Sequence, residues 1–307
     1  MTTPRYATPQ AFKQALEQRL RSASASGTDL ARRRQLLVFE RLLARVHQEA
    51  GDAVVLKGGL VLEVRLARAR TTKDVDLRMM GTPSELLEQL QAAGRLDLED
   101  FMRFEVQRDR HHPDIQSEGM NYSGHRFTAE CRLAGKIYGR PFGVDVAFGD
   151  PLVGAPDEVM GDDMLAFADI APTRLRLYPV VSDIAEKLHA YTIPRSRRNA
   201  RIKDLPGIAL LASPMLKSTG AIDAATLRMA LEKTFELGST HPLPNDVPQP
   251  PASWREPYAQ IAKSDELTWR TLDELHRAVK GFLGTVLSTE ATGGVWSPVS
   301  WQWTPGN

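Results

Sequence analysis

Val54-Val55-Leu56-Lys57-Gly58-Gly59-Leu60, followed by Arg70-Thr71-Thr72-Lys73-Asp74-Val75-Asp76-Leu77, decides how this chain is read. An apolar run meets a glycine pair, a helix is expected behind it, and a second strand opens with two acids one residue apart. Side chains alternate along a strand, so Asp74 and Asp76 share a face. Two adjacent carboxylates repel, and burying them unpaired is costly. A divalent cation relieves both problems, and hard oxygen ligands suit Mg²⁺ or Mn²⁺. Gly58 and Gly59 offer backbone N–H groups at a helix N-terminus, a natural seat for phosphate. Together these residues point to a Mg²⁺-nucleotide site.

The bulk properties permit this. The chain has 307 residues, 42% of them apolar and 25% charged, with a net charge of +1. That is ordinary for a globular protein of one large or two ordinary domains. Any basic surface for a polyanion has to be local. The single cysteine, Cys131, excludes an internal disulfide and a cysteine metal cluster, and its strand context suits a small core residue. No apolar run approaches membrane-spanning length and the N-terminus lacks a signal-peptide core, so a cytoplasmic protein is expected.

Outward from the central stretch, helices are expected over 8–21 and 29–50. Thr8 and Pro9 start the first, and Arg32, Arg33 and Arg34 lie near the start of the second. These arginines suit a solvated face or a contact with a polyanion. Strands are expected over 53–56 and 73–79, with the bend at 57–59 and a helix over 60–67. Thr82, Pro83 and Glu85 open a helix over 82–93 with a capping box. Further strands are expected over 101–107, 127–133 and 142–148, with His111 and His112 in an exposed loop. Asp145 sits between Gly143 and Ala147 on the last of these, suiting a third carboxylate or a solvent-facing acid.

After Pro151 helices dominate. One spans 182–191, with Ser182 as N-cap and Lys187 beside its apolar stripe. A basic loop over 194–203 carries Arg195, Arg197, Arg198, Arg201 and Lys203, followed by Asp204. Helices over 226–237 and 265–287 and a tail with Trp296, Trp301 and Trp303 complete the chain. The tail suits packing on the chain's own helices or a partner's docking edge. Helices, then strands, then helices argue an α+β fold. The expected domains are 1–160 and 161–307.

Two acids on a strand, a glycine pair and a possible third acid describe two-metal phosphoryl chemistry, in which a cationic side chain such as Lys187 contacts phosphate. The competing Walker A loop, dinucleotide fingerprint and nucleophile elbow are missing.

The ordered set Leu56-Lys57-Gly58-Gly59, Arg70-x-Thr72-x-Asp74-x-Asp76, Val144-Asp145-Val146, Gly149-Asp150-Pro151, Glu186-Lys187-Leu188-His189-Ala190 and Arg201-x-Lys203-Asp204 resembles the AbiEii/AbiGii toxin family of nucleotidyltransferases, which includes the MenT toxins. Phe39 to Arg45 extends the resemblance upstream. It implies a polymerase-β-like core with a small mixed sheet, N-terminal helices and a C-terminal helical domain. It implies a toxin paired with an antitoxin, using NTP as substrate and transferring NMP to the 3′ end of tRNA, which blocks aminoacylation.

By position, Lys57, Gly58, Gly59, Arg70, Thr72 and Lys187 bind nucleotide. Asp74, Asp76 and Asp145 hold metal. Asp204 completes the downstream motif, orienting Lys187 or assisting the attacking hydroxyl. Arg195, Arg197, Arg198 and Arg201 contact RNA. The chain departs from the pattern at Leu60, where relatives carry a hydroxyl nearby, and after Asp204, where the second acid is missing. Two other functions stay open: NMP transfer to a protein hydroxyl, and a non-catalytic nucleotide- or partner-binding module. A monomer is favoured.

Overall fold

A computed structural model describes residues 5–66, 72–115, 123–148, 151–195, 199, 201–216, 220–288 and 293–305. Helices α1 (Pro9–Ser22) and α2 (Gly27–Ala50) come first. Thr8 caps α1, with Pro9 in its first turn, and Ser26 caps α2. Strand β1 (Val55–Lys57) then runs without a loop into α3 (Gly58–Leu66). The bend expected at 57–59 is instead the first turn of this helix.

Strand β2 (Val75–Arg78) and helix α4 (Pro83–Arg95) follow, the latter opened by the expected Thr82–Glu85 capping box. Strands β3 (Met102–Arg108), β4 (Ser123–Leu133), β5 (Lys136–Ile137), β6 (Phe142–Phe148), β7 (Asp157–Met160) and β8 (Arg174–Leu177) complete the main sheet. The fold is α+β, as the element order predicts. The sheet is larger than expected: eight strands in the order β3-β4-β6-β2-β1-β8-β7, with β5 paired to β4. β2 pairs parallel with β6 and β1 parallel with β8, so the sheet is mixed.

Helices α5 (Val180–Thr192), α6 (Asp204–Leu211), α7 (Ala224–Gly238), α8 (Arg255–Ser264) and α9 (Leu272–Leu287) form the C-terminal half with a hairpin of β9 (Val295–Ser297) and β10 (Gln302–Thr304). The long helix expected over 265–287 starts only at Leu272, and the separate α8 ends before it, at Ser264. Thr271 accepts from the Glu274 backbone and Glu274 returns the bond, a capping box that starts α9 afresh. Ser182 is not an N-cap. α5 starts two residues earlier, after Pro179, and the Ser182 hydroxyl bonds both backbone groups of Val153.

Two apolar cores result. One joins α1, α2 and α4 to the sheet; the other joins α5 to α9 and the tail. Helix α3 belongs to both: Leu60 and Val61 face the first, Leu62 and Leu66 the second.

The first core contains a buried ion cluster. Arg41 Nε and Arg45 Nη1 donate to Asp100 Oδ2 at 2.7 and 2.9 Å. Burial resists ionising Asp100, but the Arg45 hydrogen bonds and the two guanidinium charges outweigh it, holding the carboxyl below its usual range. Cys131 is buried and its thiol is pushed up to about 12, chiefly by burial, so it is a core residue.

The tail packs on the chain's own helices. Trp296, Trp301 and Trp303 donate their indole N–H groups to the carbonyls of Ala212, Ala278 and Phe282. Trp296 meets Phe282 edge-on, and Trp303 stacks on it.

Candidate active site

The sheet register builds the site. Asp76 on β2 lies opposite Asp145 on β6 and opposite Lys57 on β1. Asp145 lies in turn opposite Arg126 on β4. Paired residues share a face, so four strands present one row: Arg126, Asp145, Asp76, Lys57. Asp74 stands just before β2, and its Oδ1 accepts from the backbone N–H of Gly143 at 3.2 Å. A Cβ at Gly143 would lie 2.7 Å from that oxygen, so only glycine leaves room for Asp74.

Gly58 has the same relation to Asp76. Its φ is +69°, a backbone region that favours glycine, and a Cβ there would meet Asp76 Oδ2 at 2.0 Å. The first turn of α3 therefore lies directly against the Asp76 carboxylate. Its unsatisfied backbone N–H groups make an anion seat. A Cβ at Gly59 would stand 3.1 Å from Thr72 Oγ1. The hydroxyl that Leu60 cannot offer at the glycine pair is thus supplied by Thr72, which also donates to the Asp74 carbonyl at 3.2 Å.

Asp76 is the most perturbed acid of the row. Burial, then the like charge of Asp145, with Asp74 adding to it, pushes its carboxyl up to about 6; Lys57 and Lys187 pull it back only in part. A half-buried carboxylate beside two other acids, against a helix start, fits a hard divalent cation. Among the described residues no group of three or more His, Cys, Asp or Glu forms a metal cluster, so the fit rests on Asp74 and Asp76.

Lys57, Lys187 and Arg201 are each held by an acid. Lys187 is buried on α5, not a surface lysine, and its Nζ lies 2.9 Å from Asp183 Oδ1 one turn back. Lys57 Nζ lies 2.9 Å from Glu186 Oε1 and 4.7 Å from the Tyr178 ring centroid. The Tyr178 hydroxyl donates to the same Glu186 oxygen at 2.7 Å. Arg201 Nε donates to Asp204 Oδ2 at 2.7 Å.

Asp145, expected as a metal ligand, is paired with Arg126 in this structure. Both its oxygens are taken by Arg126, Nε to Oδ1 and Nη2 to Oδ2, each at 2.7 Å. That fork raises the Arg126 guanidinium pKa further, first through these hydrogen bonds.

Of the arginines expected to meet RNA, Arg195 donates to the Ala190 carbonyl at 3.2 Å at the end of α5, and Arg201 pairs with Asp204. Arg197 and Arg198 lie outside the described residues, as does Arg70. The basic turn of α2 is engaged internally: Arg32 with Glu63, Arg33 with Asp29, Arg34 with Glu17. His111 and His112 are exposed in a turn whose N–H groups bond Asp109.

Sequence reading missed Arg126, Asp183 and Tyr178, and it gave Glu186 a place in a motif but no role. Arg126 continues the alternation of Thr128 and Glu130 one step before the expected strand. Asp183 is one helical turn from Lys187, an i,i+4 pair. The meeting of Glu186 with Tyr178 and Lys57 had no local signal, because it depends on how α5 leaves the sheet.

The model of the Nucleotidyl transferase AbiEii toxin family, of a type IV toxin–antitoxin system, matches residues 41–278. Comparison with curated proteins finds no match. Among solved structures, the nucleotidyltransferase toxin MenT4 (Rv2826c) from Mycobacterium tuberculosis H37Rv is similar at 15% identity and a TM-score of 0.48, covering 73% of this chain and 70% of that one. JHP933 from Helicobacter pylori is similar at 15% identity and a TM-score of 0.43, covering 84% and 92%.

Proposed function

The chain belongs to the AbiEii family of nucleotidyltransferase toxins, and from that premise we propose that it transfers NMP from an NTP to RNA, at the 3′ end of tRNA, with Mg²⁺ or Mn²⁺ held by Asp74 and Asp76. The observation that carries this reading is the fit of Asp76 against the first turn of α3, where a side chain on Gly58 has no space. The α3 N–H groups take the triphosphate, and the Thr72 hydroxyl stands beside them. Lys187, fixed by Asp183, faces the departing pyrophosphate as a point charge. A bound divalent cation would polarise the α-phosphate and lower the pKa of the attacking hydroxyl.

The acceptor oxygen forms a bond to the α-phosphorus as the bond to the bridging oxygen breaks and pyrophosphate leaves. The acceptor follows the resemblance to the family, as do aminoacylation block and an antitoxin partner, while phosphate contacts from Arg195, Arg197, Arg198 and Arg201 follow from the basic loop over 194–203. Arg70 belongs to the nucleotide side by that resemblance.

The test incubates the protein with Mg²⁺, total tRNA and each labelled NTP in turn. Label is expected in RNA with at least one NTP. Label on a protein band with none on RNA moves the acceptor to a protein hydroxyl, and no transfer to either refutes the reading.

A further inference from the structure

Arg126 stands at one end of the cross-strand row, beside Asp145, and the proposed chemistry gives it no task. It is joined to Asp145 by a fork in which two parallel N–H groups meet two carboxylate oxygens, each at 2.7 Å. Such a fork takes one in-plane lone pair on each carboxylate oxygen and competes with a metal for the carboxylate's charge, and its geometry is specific to arginine. The Asp145 side chain is 15% exposed and that of Arg126 is 37% exposed, so the acid lies deeper and the guanidinium reaches outward. Nη1 of Arg126 takes no part in the fork.

The position of the fork in the sheet matters as much as its geometry. Gly58 and α3 continue β1, on one flank of Asp76. Arg126 is on β4, separated from β2 by β6. The anion seat and Arg126 therefore lie on opposite flanks of Asp74 and Asp76. A triphosphate seated on α3 leaves Arg126 to the other substrate.

We propose that Asp145 is a positioning residue that fixes Arg126 and binds no metal, that Asp74 and Asp76 carry a single divalent-cation site, and that Arg126 Nη1 takes a phosphate of the acceptor strand. This deepens the nucleotidyltransferase reading and rests on it. The row then contains its own cation where a second metal would otherwise stand beside Asp145.

The test uses the full chain and Mn²⁺ alone, titrated by electron paramagnetic resonance, with steady-state transfer kinetics alongside. The wild type is expected to bind one Mn²⁺, and Asp145→Asn is expected to keep that count and affinity. Arg126→Gln frees both Asp145 oxygens and is expected to tighten Mn²⁺ binding. In both variants KM for RNA should rise about 10- to 100-fold, the worth of one charge-assisted hydrogen bond, while KM for NTP stays at its wild-type value. Loss of Mn²⁺ from Asp145→Asn, or weaker Mn²⁺ binding in Arg126→Gln, overturns the proposal, and so does a rise in KM for NTP instead of RNA. Two Mn²⁺ ions on the wild type overturn it as well. Absence of any Mn²⁺ site in the wild type, with no transfer, is the separate failure of the underlying reading.

Discussion

Gly58 and Asp76 are in mutual steric contact across the β1–β2 pair: the space that a Cβ would need at Gly58 is occupied by Asp76 Oδ2, 2.0 Å from where that carbon would lie. The proposed phosphate seat and the proposed metal acid thus share one small volume. Gly58→Ala forces either the carboxylate or the helix start to move, and its φ of +69° adds strain. Transfer is expected to fall by about a hundredfold, the usual effect of an ångström-scale misplacement. Wild-type transfer rates in Gly58→Ala, measured with labelled NTP, would show that the contact is not needed.

Asp76 sets opposite demands on stability and activity. Its folded pKa, about 6, is raised above the ordinary carboxylate value. The raised value favours the protonated acid in the fold, so the stability it contributes is present below the unfolded pKa and lost as pH rises through about 6. Asp76→Asn is therefore expected to be more stable than the metal-free wild type at pH 8 by about 2–3 kcal/mol. The difference should vanish as pH falls to about 4. Urea melts across this range check the sign. Transfer by the same variant should drop by at least about 10²-fold, and a less stable Asp76→Asn at pH 8 contradicts the burial argument.

Lys187 depends on Asp183 for its direction. Lys187→Ala removes the phosphate charge and should lower kcat by about 10²- to 10³-fold. Asp183→Asn keeps the lysine but weakens its anchor, so about a tenfold loss is expected, carried by kcat rather than by the KM for RNA. Equal losses in the two variants, with unchanged melting temperatures, would mean that Asp183 acts on substrate directly.

Asp100 is structural and remote from this chemistry. Asp100→Ala strands two buried guanidinium groups and should cost about 3–5 kcal/mol. Because the folded carboxyl is held low, its contribution is present above the unfolded pKa and is lost as pH falls through the folded value. Acid unfolding of Asp100→Ala should therefore show a shallower pH dependence than that of the wild type, and parallel acid curves would remove Asp100 from the account.

Legibility of the sequence followed the range of each interaction. The strand over 142–148 and the Thr82–Glu85 box were readable because alternation and capping are local. Asp74, Asp76 and the glycine pair were readable because a strand and a helix start fix them within one short segment. The Arg126–Asp145 fork was not, since it needs the register of β4 on β6. The grip of Glu186 on Lys57 joins residues far apart in sequence. In the C-terminal half the helix expected over 265–287 was started too early, because the Thr271–Glu274 capping box opens it only at Leu272.

Helix α3 adds one more consequence. Its far end is clamped by Leu62 and Leu66 in the core that the C-terminal helices build, while its near end forms the seat beside Asp76. The sheet half therefore does not by itself hold the helix that carries the proposed phosphate seat. A shift of α5 to α9 against the sheet would tilt α3 like a lever with its short arm in the site. A partner that grips only the C-terminal helices would reach Asp76 through the protein without touching it.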